Sequence, residues 1–359
     1  MYMAVGQRPG VPTEMNLHKT REALPKVELH RHLEGSLRIS TIAEIASGRL
    51  DLPADPERLK ALLKVSPNDP RSPHQFLGIF RTLRSLFLSP EIIQRVASEA
   101  VEDAAKEGIR YLELRFTPAA LSEARGFAMG EVMDWVLEAA MEAARPLGID
   151  VRLLAGVNRH EPVEIAEQVA SLAVDRMGHG VVGLDLAGDE SEHPAEPFAG
   201  VLRGARQAGL HLTVHAGEWS GPQEVFYALD VLEAERIGHG VRALEDPKAV
   251  ALALDRNAVF EVTPTSNLCT GVIGSPDEHP LPEMIQAGLR VTIGTDDPGI
   301  FGISLADEYA AAIEHLDLSL ETVKGMILTA AQGAFLTARE KRDLEQDLVK
   351  SFWVSEAAA

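Results

Sequence analysis

The chain has 359 residues, of which 45% are hydrophobic and 25% are charged, as is usual for a globular enzyme. Its 34 Lys and Arg against 54 Asp and Glu give a formal charge of −20, which repels polyphosphate backbones and argues against nucleic acid as a partner. No apolar run approaches the roughly 20 residues that a membrane span needs, so we expect no membrane insertion.

The N-terminus and the cysteine content both bear on where in the cell the protein is located. Residues 1–22 are polar and without periodicity, so we expect a flexible tail followed by a single domain over 23–359. The N-terminus shows no apolar signal segment, and the single cysteine, Cys269, forms no internal disulfide. Both features favour a cytoplasmic location.

Short apolar runs then alternate with longer helical patterns along the chain. We predict eight strands, at 27–32, 109–116, 151–157, 181–186, 210–215, 236–239, 259–262 and 289–294. Helical spacing is clearest at 91–106, 130–144, 161–176, 222–232 and 246–255. This alternation predicts a (β/α)8 TIM barrel, and a doubly wound open sheet is the alternative.

Two stretches fall outside the simple alternation. The segment of about 36–108 after the first strand is longer than one crossover and has several helical runs, including 73–88. We expect it to form a helical lid above the barrel mouth. The segment 319–353 is also helical, and we expect it to pack outside the barrel.

His30 and His32 lie at the end of the first predicted strand, one residue apart. Because side chains alternate along a strand, both imidazoles point to the same face and could hold one divalent ion. Imidazole suits zinc. The alternative is two surface histidines on an edge strand.

Polar residues recur where other apolar strands end, which is where TIM barrels carry their active sites. These residues are Asp185 and Gly188 at the end of the fourth strand, His215 and Glu218 at the end of the fifth, His239, Ser266, and the pair Asp296 and Asp297. Most of these strands end in a metal-ligand or acid–base residue. A purely structural pattern would rarely produce that.

Together these segments resemble the adenosine deaminase family of the amidohydrolase superfamily. The matching stretches are Pro-Lys-Val-Glu-Leu-His-Arg-His-Leu-Glu-Gly at 25–35, Leu-Asp-Leu-Ala-Gly-Asp-Glu at 184–190, Val-His-Ala-Gly-Glu at 214–218, Ile-Gly-His-Gly at 237–240 and Thr-Asp-Asp-Pro at 295–298. The resemblance implies one zinc ion per chain, held by His30, His32, His215 and Asp296. A two-metal relative needs a bridging lysine on the fourth strand, and none is present at 184–188.

The resemblance also implies hydrolytic deamination, in which hydroxide generated at zinc attacks purine C6. His239 would orient the water and take up its proton, and Asp296 would accept a hydrogen bond from it. Glu218 would protonate ring N1, which needs a carboxyl group with a raised pKa. The remaining substrate contacts implied are His32, the Gly188 N–H to N3, Asp297 to N7, and Ser266 near the water.

The choice of substrate depends on Glu34. Adenosine deaminases typically carry Asp at this position, where it binds the ribose 5′-hydroxyl, and adenine deaminases carry Glu. The stretches at 111–118 and 264–267 are closer to the adenosine branch. We therefore rank adenosine and deoxyadenosine first, ahead of adenine and 6-aminodeoxyfutalosine, with a non-catalytic nucleoside-binding barrel as a remote alternative. The expected partner is a small purine nucleoside, and a homo-oligomer is compatible with the sequence.

Several neighbouring polar residues are assigned supporting or structural roles. We expect Glu28 to support the histidines on its strand and Asp185 to brace a neighbouring ligand. Asp189 and Glu190 are interpreted as loop charges or caps. His160, His179 and His211 are interpreted as structural.

Overall fold

The computed structural model describes residues 24–47, 52–53, 55–65 and 73–358. Eight parallel strands lie side by side in chain order. They are β1 Lys26–His32, β2 Ile109–Phe116, β3 Asp150–Asn158, β4 Val181–Ala187, β5 His211–Ala216, β6 Arg236–His239, β7 Val259–Val262 and β8 Arg290–Ile293. The predicted TIM barrel is confirmed, with strand limits within two residues of those expected. The predicted tail at 1–22 lies outside the described residues.

The barrel closes between β8 and β1 through a short set of backbone contacts. The Asp296 N–H donates to His30 O and the His32 N–H donates to Asp296 O, both at 2.8 Å. The Glu28 carboxylate accepts hydrogen bonds from the Thr295 N–H and hydroxyl, and from the His30 N–H. Glu28 therefore supports the site by joining β1 to the segment that follows β8 through these hydrogen bonds.

Sixteen α-helices are assigned in the described residues. They are α1 Ile39–Ala46, α2 Pro56–Leu63, α3 Pro73–Arg84, α4 Pro90–Lys106, α5 Pro118–Glu123, α6 Met129–Leu147, α7 Val163–Val174, α8 Ala199–Gln207, α9 Pro222–Asp230, α10 Pro247–Arg256, α11 Pro264–Cys269, α12 Leu281–Gln286, α13 Pro298–Phe301, α14 Leu305–Glu314, α15 Leu320–Gly333 and α16 Ala338–Ala358. Many begin with proline, whose fixed φ and missing N–H suit the first helical position. Ser89 caps α4 and Asp246 caps α10.

The segment between β1 and β2 divides into two parts. Helix α3 faces the mouth of the barrel, where Phe76 and Phe80 line a pocket. Helix α4 packs against β2 and α6, as an ordinary outer helix of a barrel does. The expectation of a lid over the whole of 36–108 is thus too broad, because its last helix is the crossover from β1 to β2. Among the described residues, no helix combines the length and apolar character needed to cross a membrane.

The inside of the barrel carries a layer of charged side chains beneath the mouth. Arg115, Asp185, Arg236 and Glu261 are each about 1% exposed or less. The Arg115 guanidinium binds Asp185 at 3.1 Å and Glu261 at 2.7 Å. The Arg236 guanidinium lies 2.6 Å from Glu261 and also pairs with Glu113. Buried charges are tolerated here because each carboxylate meets a guanidinium.

Candidate active site

The carboxyl ends of the strands bring four metal-ligand side chains into one cluster. His30 and His32 come from β1, His215 comes from β5, and Asp296 follows β8. One ligand atom of each residue lies within 4.8 Å of the others. Asp296 Oδ1 is 3.4 Å from His30 Nε2 and 3.3 Å from His32 Nε2. The four residues expected to form one site are therefore adjacent.

The chemistry of this cluster fits a zinc ion. His30 is fully buried, and its Nε2 makes no well-aligned hydrogen bond within the described chain. A buried nitrogen without a partner is costly, and a cation at this point would use its lone pair. Three imidazoles and one carboxylate are ordinary zinc ligands. The residues present could therefore hold one metal ion.

Two buried carboxylates fix the orientation of the ligand histidines. His30 Nδ1 lies 2.9 Å from Glu261 Oε2, and His215 Nδ1 lies 2.9 Å from Asp185 Oδ1. A carboxylate at Nδ1 favours hydrogen on that nitrogen and leaves Nε2 available as a ligand. Asp185 makes the bracing contact that the sequence suggested, whereas Glu261 was missed. Its signal was a single charge within the apolar strand Val-Phe-Glu-Val.

The same two carboxylates remain ionised. Burial opposes ionisation of Glu261, but the Arg115 guanidinium holds its pKa well below the usual range. In Asp185 the neighbouring His215 and Arg115 lower the pKa despite burial. Arg115 thus keeps both carboxylates ionised, and the ionised carboxylates orient His30 and His215.

His239 and Glu218 face each other beside the cluster. His239 Nε2 is 3.5 Å from Glu218 Oε2, and its ring centre is 4.9 Å from that of His30. On the other side of the ring, Nδ1 lies 2.9 Å from Thr263 Oγ1 and 3.2 Å from Asn267 Nδ2. Burial lowers the pKa of His239 well below its usual value, so the imidazole is neutral at pH 7.

Glu218 has the electrostatic character of an acid that keeps its proton. It is 5% exposed, and burial together with the charge of Asp296 raises its pKa well above the usual value. A carboxyl group in this state can donate a proton at neutral pH.

A second buried carboxylate holds the loop that carries Glu218. Glu190 accepts backbone N–H groups from Gly217 at 2.9 Å, Glu218 at 2.6 Å and Ser220 at 2.8 Å. Glu190 therefore caps the backbone N–H groups of this loop, and these three hydrogen bonds fix the conformation of the chain after His215.

Two residues at the mouth adopt a backbone conformation that is uncommon outside glycine. His239 has φ of 60° and Asp296 has φ of 59°. Such left-handed conformations in residues other than glycine carry strain and concentrate at functional sites. Here they end β6 and follow β8, turning both side chains toward the cluster.

Asp297 and Gly35 pack against each other at the edge of the pocket. Asp297 is 1% exposed and its Oδ1 has no hydrogen-bond partner among the described residues. Burial and the charge of Asp296 raise its pKa well above the usual value. A side chain at Gly35 would begin 1.8 Å from Asp297 Oδ1, so glycine is required there.

Glu34 lies on the same side of the pocket. It is 2% exposed, and its Oε1 accepts the Thr117 N–H at 2.9 Å. Its Oε2 is buried with no partner in the described chain. Burial raises the pKa of Glu34, and the charge of Arg84 opposes this shift. One oxygen is therefore anchored and the other is available to a ligand.

The pocket above the cluster is lined by side chains of α3 and by residues at the carboxyl ends of the strands. Phe76, Leu77, Phe80 and Arg84 belong to α3. Asn158, Ala187 and Gly188 lie at the ends of β3 and β4, and Trp219 follows β5. Gly188 has φ of 105°, a conformation that glycine adopts readily.

Not every residue named from the sequence lies in the pocket. Ser266 is fully buried in α11, is not part of the pocket lining, and its Oγ has no partner among the described residues. Thr263 and Asn267, which the sequence analysis did not name as site residues, contact His239 Nδ1. His211 pairs with Glu235 at the opposite end of β5.

Comparison with known proteins identifies this architecture. The family model described as adenosine deaminase matches residues 25–351. The chain belongs to the adenosine deaminase family. An adenosine deaminase of Shigella flexneri serotype 5b is 35% identical over 325 residues, covering 90% of this chain and 97% of that protein. The protein is thus a hydrolytic deaminase of a family that acts on small purine substrates.

Solved structures with the same fold include deaminases of different purine substrates. An adenine deaminase from Arthrobacter aurescens superposes with a TM-score of 0.84 at 27% identity, covering 92% of this chain and 99% of that one. An amidohydrolase from Burkhoderia ambifaria with bound Zn has a TM-score of 0.88 at 25% identity, covering 98% and 96%. The N6-methyl-AMP deaminase of Arabidopsis thaliana has a TM-score of 0.81 at 28% identity, covering 95% and 100%.

Proposed function

We propose that the enzyme hydrolyses adenosine and deoxyadenosine to inosine and deoxyinosine, releasing ammonia. The observation that carries this proposal is the buried Glu218, 3.5 Å from His239 beside the His and Asp cluster, where burial and the charge of Asp296 raise its pKa. A neutral carboxyl group is what protonation of a purine ring nitrogen requires at pH 7. The adenosine deaminases among its relatives support the same reaction.

His30, His32, His215 and Asp296 would hold one zinc ion. The amidohydrolase neighbour with bound Zn supports this choice of metal. Bound at this site, zinc would lower the pKa of water toward about 7 and make hydroxide available at neutral pH. The burial of His30 and the fixed Nδ1 contacts of His30 and His215 preorganise the ligands for it.

The chain's own residues would move the protons. Glu218 donates its proton to N1, which makes C6 electrophilic. The neutral His239 imidazole accepts the proton that water loses as its oxygen adds to C6. The protonated His239 then gives its proton to the amino group, which leaves as ammonia, and the C6 hydroxyl returns a proton to Glu218 as the carbonyl forms. One water is thus consumed for each ammonia released. Asp297 and the Gly188 N–H would hold N7 and N3 of the ring.

Glu34 supports a nucleoside over a free base. Its partnerless Oε2 needs a donor, and a ribose hydroxyl can supply one. Arg84 lies near enough to oppose the raised pKa of Glu34 and can donate to the same hydroxyl oxygen. Adenine stays the second candidate, because the longer Glu side chain could fill the sugar space and because an adenine deaminase shares this fold.

The charge of the pocket disfavours a 5′-phosphate. Apart from the proposed zinc, which would pair with Asp296, the lining has one guanidinium, that of Arg84, and the carboxyl group of Glu34 lies near it. A phosphate dianion near Glu34 would therefore meet little compensating charge. We therefore place AMP and N6-methyl-AMP below adenosine.

The test is a comparison of kcat/KM for adenosine, deoxyadenosine, adenine, 6-aminodeoxyfutalosine, AMP and N6-methyl-AMP. Ammonia release and loss of purine absorbance report the same reaction independently. We expect adenosine and deoxyadenosine to lead by at least about tenfold, which is about 1.4 kcal/mol. A lead for adenine would show that Glu34 occupies the sugar space. No release from any of them would contradict the proposed function.

A further inference from the structure

A second cleft lies at the opposite end of the barrel from the active site. Its floor is formed by the first residues of three strands, Arg236 of β6, Val259 of β7 and Arg290 of β8. At about 3.3 Å per residue, Arg236 is about 10 Å along β6 from His239. The cleft contains about 960 Å³ of space between atoms, counting its open mouth. It is therefore separate from the catalytic pocket.

The cleft is cationic although the protein carries a net charge of −20. Its lining has five cationic side chains, Arg206, Arg236, Arg256, Arg290 and Lys341, against two acidic ones, Glu233 and Glu235. Both acidic groups already have partners. Glu233 binds Arg206 at 2.6 Å, and Glu235 binds His211 at 3.0 Å.

Three of the cations, Arg256, Arg290 and Lys341, form no ion pair with another described residue. Arg290 donates to Asn257 O at 3.2 Å and to Gln332 Oε1 at 2.9 Å, and both acceptors are neutral. Within the described chain, the side chains of Arg256 and Lys341 make no hydrogen bond or ion pair. Burial, followed by the charge of Arg236, lowers the pKa of Lys341, and the charges of Glu113 and Glu235 oppose this shift.

The chemistry of the lining selects a small anion over an aromatic group. The Phe335 ring stacks on His211 at 4.5 Å on one side, and the Arg236 guanidinium lies 3.5 Å from its centre. Because these neighbours cover the ring, it offers no surface on which a base could stack. What remains available is positive charge, with guanidinium groups that match the geometry of phosphate oxygens.

We propose that this cleft binds a phosphate group, supplied either as inorganic phosphate or as a phosphate monoester. Lys341 of α16 would contact it from one side, and Arg256 of α10 and Arg290 of β8 from the other. The anion would relieve the repulsion among these cations and join the C-terminal helix to the strand ends. Nothing in this inference depends on which purine the catalytic pocket accepts.

The experiment is calorimetric titration of the zinc-loaded protein with inorganic phosphate at constant ionic strength. Lys341→Ala is the main variant, because the side chain has no partner to lose and alanine suits a helix. Lys350→Ala is the matched control, since it removes the same charge from an exposed position on the same helix. We expect saturable binding to the parent and the control, and at least about tenfold weaker binding to Lys341→Ala.

A second variant and a second ligand make the result unambiguous. Arg256→Ala removes an exposed side chain on a different helix and should weaken binding to a similar degree. Repeating the titration with ribose 5-phosphate distinguishes the two sources, since tighter binding of the ester would identify a phosphorylated metabolite. No saturable binding to the parent, or unchanged affinity in either variant, would overturn the proposal. Unchanged affinity would place the phosphate elsewhere, for example at the metal.

Discussion

The mouth of the barrel and the charged layer beneath it differ in how their buried polar side chains are hydrogen-bonded. At the mouth, His30 Nε2, Glu34 Oε2 and Asp297 Oδ1 are buried and lack hydrogen-bond partners among the described residues. In the layer beneath, Asp185 and Glu261 each contact a guanidinium and a histidine. These three atoms of the mouth lie where a metal and a substrate would complete them, whereas in the lower layer Arg115 Nε and Arg236 Nε lack a hydrogen-bond partner among the described residues.

This difference separates two tasks within one barrel. The lower layer holds charge in place and sets the orientation of the ligand histidines through Nδ1 contacts. The upper layer is left incomplete, which costs stability in the free protein and is recovered when ligands bind. Variants of the upper layer should therefore change kcat or substrate choice, whereas variants of the lower layer should change zinc affinity.

The largest effect among these variants is expected from the upper layer. Glu218→Gln removes the acidic proton without changing the size of the side chain, so kcat should fall by at least about 10²-fold, the usual contribution of general acid catalysis. Zinc content and melting temperature should match the parent. Glu245→Gln, an exposed change in a neighbouring loop, is the control. Rates within a few-fold of the parent would assign Glu218 a structural role.

A variant of the lower layer should act through the metal. Glu261→Gln weakens the hold on His30 Nδ1, and we expect zinc affinity or activity to fall by about 10–100-fold. Glu113→Gln is the matched control, because Glu113 pairs with the same Arg236 but contacts none of the four proposed ligands. Competitive zinc titration measures both. Equal losses of zinc affinity in the two variants would mean that general destabilisation, rather than orientation of His30, explains the effect.

Glu34 tests whether the partnerless oxygen at the mouth serves the sugar. Glu34→Ala should weaken adenosine turnover by about 1–3 kcal/mol, since a substrate hydroxyl loses its buried partner. Adenine, which has no ribose, should be little affected. Measuring kcat/KM for both substrates decides the matter. If the change improves adenosine turnover, Glu34 was blocking the sugar space.

The last prediction concerns the pH dependence of stability, which leaves catalysis at constant pH unchanged, and a carboxyl group behind the mouth. Glu308 of α14 is fully buried, and burial raises its pKa to about 8. Between about pH 4.5 and pH 8 the folded protein keeps a proton that the unfolded chain releases, so this group lowers stability by up to about 1.4 kcal/mol per pH unit as pH rises. Glu308→Gln should flatten that slope in denaturant titrations across this range. An unchanged slope would show that Glu308 is ionised in the folded state.

The sequence predicted the mouth better than the layer beneath it. His30, His32, His215 and Asp296 could be found because each ends or follows an apolar strand, and the barrel topology places such ends together. The contact of Glu261 with His30 joins residues 231 positions apart. This contact depends on which side chains meet across the barrel interior, and the periodicity of a strand does not predict such pairs.

Two other differences have local causes. The insertion after β1 was interpreted as one lid, but its last helix, α4, packs on the barrel wall, and helical periodicity alone does not tell which surface a helix covers. The contacts of Thr263 and Asn267 with His239 were not predicted, because the sequence does not show which side chains at the turn into α11 reach the end of β6. The place of Ser266 near the water stays a prediction.

The most direct test of a single catalytic zinc site is the metal content of the purified enzyme and of two histidine variants on the same strand. We predict about one zinc per chain in the parent, loss of both zinc and ammonia release in His215→Ala, and retention of both in His211→Ala at the other end of β5. Elemental analysis and an adenosine assay on the same samples measure these quantities. Two metals per chain, or full activity in protein that holds no metal, would contradict it.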